Sequence, residues 1–392
     1  MTILDAVYTD RQAHFVALAD DLAATIAPRA AAYDRDNTFP FEDFADLKNA
    51  GYLALTVPEA DGGMGANLGE FVRAQGRLAL GNGATALSST MSLSTIGREA
   101  QFHAWPERIR ARVFTGAVRD GATVNSVATE PELGSPSRGG RPNTTARQVE
   151  GGWLINGRKT WSTLSPILTF FLVFAAIEGS DETGDFLAMR GARGLSVIET
   201  WDSLGMRATG SHDVLLEDVF VPDADVVRVG GMRKGADPGA TDHRAWGALA
   251  VSGTYLGVAE AARNVAVRYA TDRAPTSLGK PIATLPAIQS KIGTIDIALL
   301  TARSLLWPVA DEWDVSTGRR PGFAGRVAAA KMTATNTAVR VVDRAMRVVG
   351  GESLTKDLPL ERYYRDVRAG LHNPPMDDVT LTIVGKSALG QG

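Results

Sequence analysis

The chain has 392 residues, 44% hydrophobic and 22% charged, with 41 basic and 44 acidic residues for a net charge of −3. That balance describes a folded globular chain and excludes a disordered tail, a collagen-like repeat and a small stapled scaffold. With no cysteine, disulfides, Fe–S clusters, thiolate zinc and thiol catalysis are excluded too. The five histidines show no H-x-x-x-H or H-E-x-x-H spacing, which speaks against a metal enzyme. The well-mixed charge offers no basic face for nucleic acid. No basic n-region opens the chain, and the longest apolar run, 167–177, is too short for a bilayer. The expectation is a cytoplasmic protein with neither membrane nor nucleic acid as partner.

Along the first 120 residues, helical spacing dominates. Leu18, Leu22 and Ile26 fall on one face, and Pro28 predicts a kink or an end just after Ile26. Phe44, Leu47 and Tyr52 continue the helical reading. Val57-Pro-Glu59 and Asp61-Gly-Gly-Met-Gly65 predict a loop before the next helix. Between 122 and 230 the pattern changes to short β-type runs at Thr123–Val127, Trp153–Ile155, Phe170–Phe174, Phe186–Leu187, Leu195–Ile198 and Val214–Leu216. Their spacing predicts a compact barrel or sandwich, and Asn156-Gly157 reads as a hairpin turn. A glycine-rich joint spans 230–239 and reads as a linker. Beyond it, Ile288, Ile292, Ile295 and Leu299, and then Val339, Val342, Met346 and Val349, predict long bundle helices. Helices flanking a β insert predict helical layers clasping a barrel.

Seven short segments, in order, carry a sharper signal. They are Val57-Pro-Glu-Ala-Asp-Gly-Gly63, Thr129-Glu-Pro-Glu-Leu-Gly-Ser135, Ile155-Asn-Gly-Arg-Lys-Thr-Trp-Ser-Thr163, Leu204-Gly-Met-Arg-Ala-Thr-Gly-Ser211, Glu217-Asp-Val-Phe-Val-Pro222, Val349-Gly-Gly351 and Tyr364-Arg-Asp366. In them the chain resembles the acyl-CoA dehydrogenase superfamily over nearly its whole length. The resemblance implies an α+β fold: an N-terminal helical domain (1–121), a central β-barrel (122–232) and a C-terminal four-helix bundle (233–392). It implies an FAD-dependent oxidoreductase assembled as a homodimer or homotetramer.

The resemblance also implies site residues. Trp161 would pack on one face of the isoalloxazine ring, Thr163 would meet it near N5, and Thr129 would reach the pyrimidine edge. Ser135 would lie in the loop beside flavin or substrate. Arg273, Arg347, Gly350 and Gly351 would contact the ADP half, some of them across a subunit boundary. Departures are Pro136 where Asp is usual, Arg347 where Gln is usual, and a longer segment at 273–280. The 91–95 stretch would roof the acyl pocket, and Trp246 would narrow its floor.

The family's base is a Glu, which takes the proton from Cα as hydride passes from Cβ to flavin N5. Counted from Arg365 its position is Pro374; its other location, counted back from Gly257, is Gly247, with Ala248 beside it. Neither can accept a proton. Asp377 and Asp378 lie a turn further on and read as charges at a helix N-terminus. In place of the Glu stands Gly370-Leu-His-Asn-Pro-Pro375, a run similar to one in monooxygenases of the superfamily. The expectation is therefore C4a-(hydro)peroxide chemistry: a monooxygenase or oxidase acting on a CoA- or carrier-linked acyl thioester or a similar small molecule, with His372 and Asn373 as catalytic residues. A flavin reductase or an electron-transfer flavoprotein is the expected redox partner. The alternatives are α,β-dehydrogenation with a relocated base (Asp377, Asp242 or His372), and a flavin-binding scaffold without catalysis.

Overall fold

Thr9 starts the first helix by a reciprocal box: its hydroxyl accepts the Gln12 N–H, and Gln12 Oε1 accepts the Thr9 N–H. In the computed structural model, which describes residues 3–4, 6–133, 140–230, 238–316 and 323–391 with the side chains of 238–244 excepted, α1 (Asp10–Ile26) buries Phe15, Ala19, Leu22 and Ile26. Pro28 then sits in a 3-10 turn before α2 (Ala30–Asp36), as a proline cannot continue the α-helical ladder. α3 (Phe41–Asn49), α4 (Leu68–Leu78), α5 (Gly83–Phe102) and α6 (Glu107–Asp120) complete the first helical layer.

The middle of the chain is one mixed sheet. Its strands are β1 (Val124–Val127), β2 (Thr145–Val149), β3 (Gly152–Lys159), β4 (Phe170–Ile177), β5 (Thr183–Met189), β6 (Leu195–Ile198), β7 (Asp213–Pro222) and β8 (Val226–Val229). The order is β6-β7-β3-β2-β4-β5-β8, with β1 parallel to β4. The apolar 167–177 run supplies β4, which is buried along nearly all its length. The sheet curls: Trp153 of β3 and Phe186 of β5 bring their rings to 5.3 Å although two strands lie between them. β2 and β8 have too little apolar alternation to be read from sequence.

One expectation is corrected here. Asn156-Gly157 makes no hairpin turn; it lies inside β3, where the register with β7 slips by a bulge. The turn between β2 and β3 is at Glu150-Gly151, with Gly151 at φ +76°. Asn156 and Asp218 instead bond across the bulge, through Asn156 Nδ2 to Asp218 Oδ1 and Asp218 N to Asn156 Oδ1, each at 2.8 Å.

The last part is helical: α7 (Pro238–Asp272), α8 (Pro286–Val315), α9 (Ala324–Val349), α10 (Leu360–Ala369) and α11 (Asp377–Ala388). By length and composition α8 passes as a bilayer-crossing helix. It is a bundle helix, however, tied to α7 by Arg263–Asp296 and Arg303–Glu260. It also reaches the first layer, where Asp314 accepts the Leu68 and Gly69 amides at the start of α4, at 3.0 and 2.9 Å.

The 203–207 loop locks the layers together. The buried Asp366 carboxylate accepts the Met206 N–H at 2.6 Å, and Arg365 grips both oxygens of Asp34 on α2 and the Leu204 carbonyl. Gly205 lies so close to α10 that a Cβ on it would sit 2.3 Å from the Arg365 carbonyl oxygen. We expect Gly205→Ala to destabilise the protein by about 2 kcal/mol through overpacking. Gly293→Ala on α8, where a Cβ meets open space, should stabilise it by up to ~1 kcal/mol. Denaturant midpoints of the two variants measure both effects.

Candidate functional site

The turn after β3 holds two non-glycine residues in the left-handed region, Trp161 at φ +57° and Leu164 at φ +71°. Such backbone is costly and persists where its surroundings enforce it. Here the Ser162 N–H donates to the His212 carbonyl, Leu164 N–H to the Thr209 carbonyl, and Asn125 Nδ2 on β1 to the Thr163 carbonyl at 2.9 Å. His212 Nδ1 accepts the Thr200 and Trp201 amides, and burial pushes its pKa down, so the neutral ring serves as an acceptor. The turn presents the Trp161 indole 64% exposed, edge to face with Trp201 at 4.9 Å. Nothing in the sequence singles out Asn125 or His212. Thr209 and Ser211 fall within the 204–211 segment, but their pairing with Thr163 is a tertiary contact.

The hydroxyls of this turn form an ordered chain. Thr209 Oγ1 donates its proton to the Met206 carbonyl at 3.0 Å. Its 2.8 Å bond with Ser211 must then be donated by Ser211, and the 2.8 Å bond between Ser211 and Thr163 by Thr163. The Thr163 hydroxyl thus keeps only lone pairs for a group outside. Beside it, Ser162 Oγ is buried and has no hydrogen-bond partner among the described residues.

Thr129 joins the turn through its carbonyl, which accepts the Thr160 N–H at 2.9 Å. Its neighbour Glu130 is buried and accepts from Lys159 Nζ at 2.6 Å and from the Asn143 and Thr144 amides; Lys159 also donates to the Phe174 carbonyl. Burial pushes the Glu130 carboxyl up, but Lys159 and these hydrogen bonds outweigh it and hold it below the usual carboxylate range. Ser135 lies outside the described residues.

Arg273, Arg347, Gly350 and Gly351 gather elsewhere. Arg273, at the end of α7, lies 3.9 Å from Glu352, and Arg347 pairs with Asp343 at 2.8 Å. Gly350 ends α9 at φ +78°, and a Cβ on either glycine would meet nothing within 4 Å. Among the described residues no hydrogen bond or ion pair joins this exposed cluster to the Trp161 turn.

The 370–376 loop runs from α10 to α11. His372 is exposed on it, and Asn373 Oδ1 accepts the buried Tyr255 hydroxyl of α7 at 2.8 Å. The α5 stretch links loop and turn: Ser88 donates to the Thr209 carbonyl, and Thr90 bonds Thr254, next to Tyr255. Pro374 is exposed, and a Cβ on Gly247 would meet open space. Asp377 is turned toward α9, its Oδ2 accepting Asn336 Nδ2 at 2.8 Å, and its Oδ1 is buried with no hydrogen-bond partner among the described residues. The Asp242 side chain lies outside the described residues. Trp246 is buried: its Nε1 donates to Gln101, and its ring fills the space at Gly97.

A strained turn offering an indole face, an acceptor hydroxyl and an unpartnered serine fits a flat ring with a polar edge, and the open glycines beside arginines fit a phosphate-bearing tail. The family descriptions "Acyl-CoA dehydrogenase, N-terminal domain", "middle domain" and "C-terminal domain" match residues 9–111, 126–219 and 240–388. The chain belongs to the acyl-CoA dehydrogenase family. It is 43% identical to the putative acyl-CoA dehydrogenase YdbM of Bacillus subtilis over 96% of each chain. It is 34% identical to the L-evernosamine nitrososynthase of a Micromonospora strain, over 89% of this chain and 84% of that one. The solved structure of KijD3 with FMN and a dTDP-linked amino keto sugar superposes with a TM-score of 0.87 at 28% identity, covering 99% and 96% of the two chains.

Breaking the Glu130–Lys159 pair should loosen the Thr129–Thr160 link. Lys159→Met is expected to cost about 3 kcal/mol, as a carboxylate is left buried without its partner. Because the Glu130 pKa is lowered on folding, the pair stabilises above the unfolded carboxylate pKa and its contribution fades as pH falls through the folded value. Urea unfolding across that range should show the gap between wild type and variant closing toward acid.

Proposed function

We propose that this chain is an FAD-dependent monooxygenase or oxidase acting on an acyl thioester, CoA- or carrier-linked, or on a similar small molecule. The observation that carries the reading is the state of the base positions. Pro374 and Gly247 have no proton acceptor, Gly247 faces open space, and the Asp377 carboxylate is engaged by Asn336. Removal of an α-proton needs a carboxylate or an equivalent over the carbon; oxygen transfer does not.

When bound, the flavin supplies the electrons that reduce dioxygen. Trp161 would cover one face of the ring, with Thr129 at its pyrimidine edge and Ser162 free to offer its hydroxyl. Thr163, its proton committed to Ser211, would accept an N–H, which a reduced flavin carries at N5 and an oxidised one lacks. Arg273, Arg347, Gly350 and Gly351 would hold the ADP half. Their separation from the Trp161 turn within one chain supports a shared site in a homodimer or homotetramer, and the exposed Ile297 and Leu300 of α8 offer an apolar face for that assembly. His372, exposed on its loop, would donate a proton to the reacting oxygen, and Asn373, anchored by Tyr255, would orient that loop. The nitrososynthase and KijD3 are relatives whose names lie outside acyl-CoA dehydrogenation, which supports the reading. A separate reductase would then deliver the electrons.

A second reading is α,β-dehydrogenation with His372 or Asp242 as the base and an electron-transfer flavoprotein as acceptor; the 43% identity to a putative acyl-CoA dehydrogenase favours it. The test is to load the protein with FAD, reduce it anaerobically and mix it with oxygen and a panel of acyl thioesters. Oxygen uptake matched by a product carrying one more oxygen is expected. His372→Ala should reduce that coupling by about 100-fold with flavin binding unchanged. Anaerobic bleaching of the oxidised flavin by an acyl thioester, with no oxygenated product, would establish the second reading instead.

A further inference from the structure

At the junction of α9 and α11 three buried polar atoms have no hydrogen-bond partner among the described residues: Lys331 Nζ, Asp377 Oδ1 and Thr380 Oγ1. Lys331 is 0% exposed. An ammonium buried without a hydrogen bond is among the costliest groups a helix interface can hold. A methionine would fill the same space without that cost.

Its placement suggests a use. The 370–376 loop is pinned at three points. At its start Gly370 packs so tightly that a Cβ would lie 2.9 Å from the Tyr255 ring and 3.1 Å from Thr335 Cγ2. In its middle Asn373 accepts the Tyr255 hydroxyl. At its exit Asp377 accepts Asn336 Nδ2. Two of these pins, Thr335 and Asn336, stand on α9 in the turn that follows Lys331, and Thr335 Oγ1 donates back to the Lys331 carbonyl at 3.0 Å. The first two pins are neutral. Only the third carries charge, and Lys331, five residues before Asn336 on α9, buries an ammonium at the same junction, its Nζ as unpartnered as Asp377 Oδ1.

We propose that Lys331 is a positioning residue whose ammonium, acting through the Asp377 carboxylate, holds the exit of the 370–376 loop and with it the pose of His372 and Asn373. The inference rests on the reading of that loop as the catalytic edge of the site. Other titratable groups on the packed elements are occupied in other ways. Tyr255 of α7 is buried and pushed far up, Asp366 of α10 accepts the Met206 amide, Asp311 and Glu312 of α8 pair with Arg73 and Arg326, and Asp378 of α11 is exposed. Desolvation lowers the Lys331 pKa to about 8, with Asp377 pulling the other way. Since the folded value lies below the unfolded one, the proton leaves the native state first as pH rises. Above that point Asp377 keeps Asn336 but loses its cation, and the loop exit loosens.

Amide hydrogen exchange on the flavin-loaded protein, below and above the Lys331 titration, tests this without substrate or turnover. Failure of the oxygenase reading therefore leaves the result intact, and the reverse also holds. After correction for intrinsic rates, protection of the amides from 370 to 380 should fall on the order of tenfold from the lower to the higher pH in wild type. In Lys331→Met it should be low at both. Asp377→Asn should also lack the step, and it decides between the outcomes if the methionine variant does not fold. A wild type without the step, or a variant that keeps it, would overturn the proposal.

Discussion

The buried carboxylate of Asp366 is the contact from which the site is built outward. It takes the amide of Met206, itself held at φ +54°, while the neighbouring Arg365 binds Asp34 and the Leu204 carbonyl. A carboxylate removed from water must be satisfied where it stands, so the 203–207 loop has one place to go. From there the Met206 carbonyl accepts both the Trp201 indole N–H and the Thr209 hydroxyl. Trp201 backs Trp161, and Thr209 starts the hydroxyl chain to Thr163. A pair on α10 thus sets the geometry of a turn that follows a β-strand. Burial also pushes the Asp366 carboxyl up to about 6, as a dry environment requires.

The same helix feeds the other edge of the site. α10 ends at Ala369, and the loop beyond it is gripped by Tyr255 and Thr335 before α11 begins. Turn and loop meet through α5, whose buried hydroxyls touch Thr209 on one side and Thr254 on the other. Among the described residues no hydrogen bond joins the 370–376 loop directly to the Trp161 indole; helix rigidity and hydroxyl pairing connect the two. The frame does not depend on Pro374 or Gly247, because neither position bears on Asp366, Lys159 or the Ser88 and Thr90 contacts of α5.

Much of the frame was legible in the residues. Helical spacing, the Pro28 break and the apolar run of β4 follow from local periodicity, which acts within a few residues. Trp161, Thr163 and Thr129 do come together at one turn, and Arg273, Gly350 and Arg347 gather at another. Asn156-Gly157 misled because a glycine at φ +152° suits a bulge as well as a turn, and the choice belongs to the β7 partner strand. Asn125 and His212 could not be found, since each works through a backbone group far away in the chain.

Linear order was enough to specify the layers and the flavoprotein family, because these depend on residue type at a given position. The folded chain alone decided the direction of the Thr163 proton, the turning of Asp377 toward Asn336 and the burial of Lys331. Those depend on which distant groups are left to share a hydrogen bond or a charge once water has been excluded, and no local pattern encodes that.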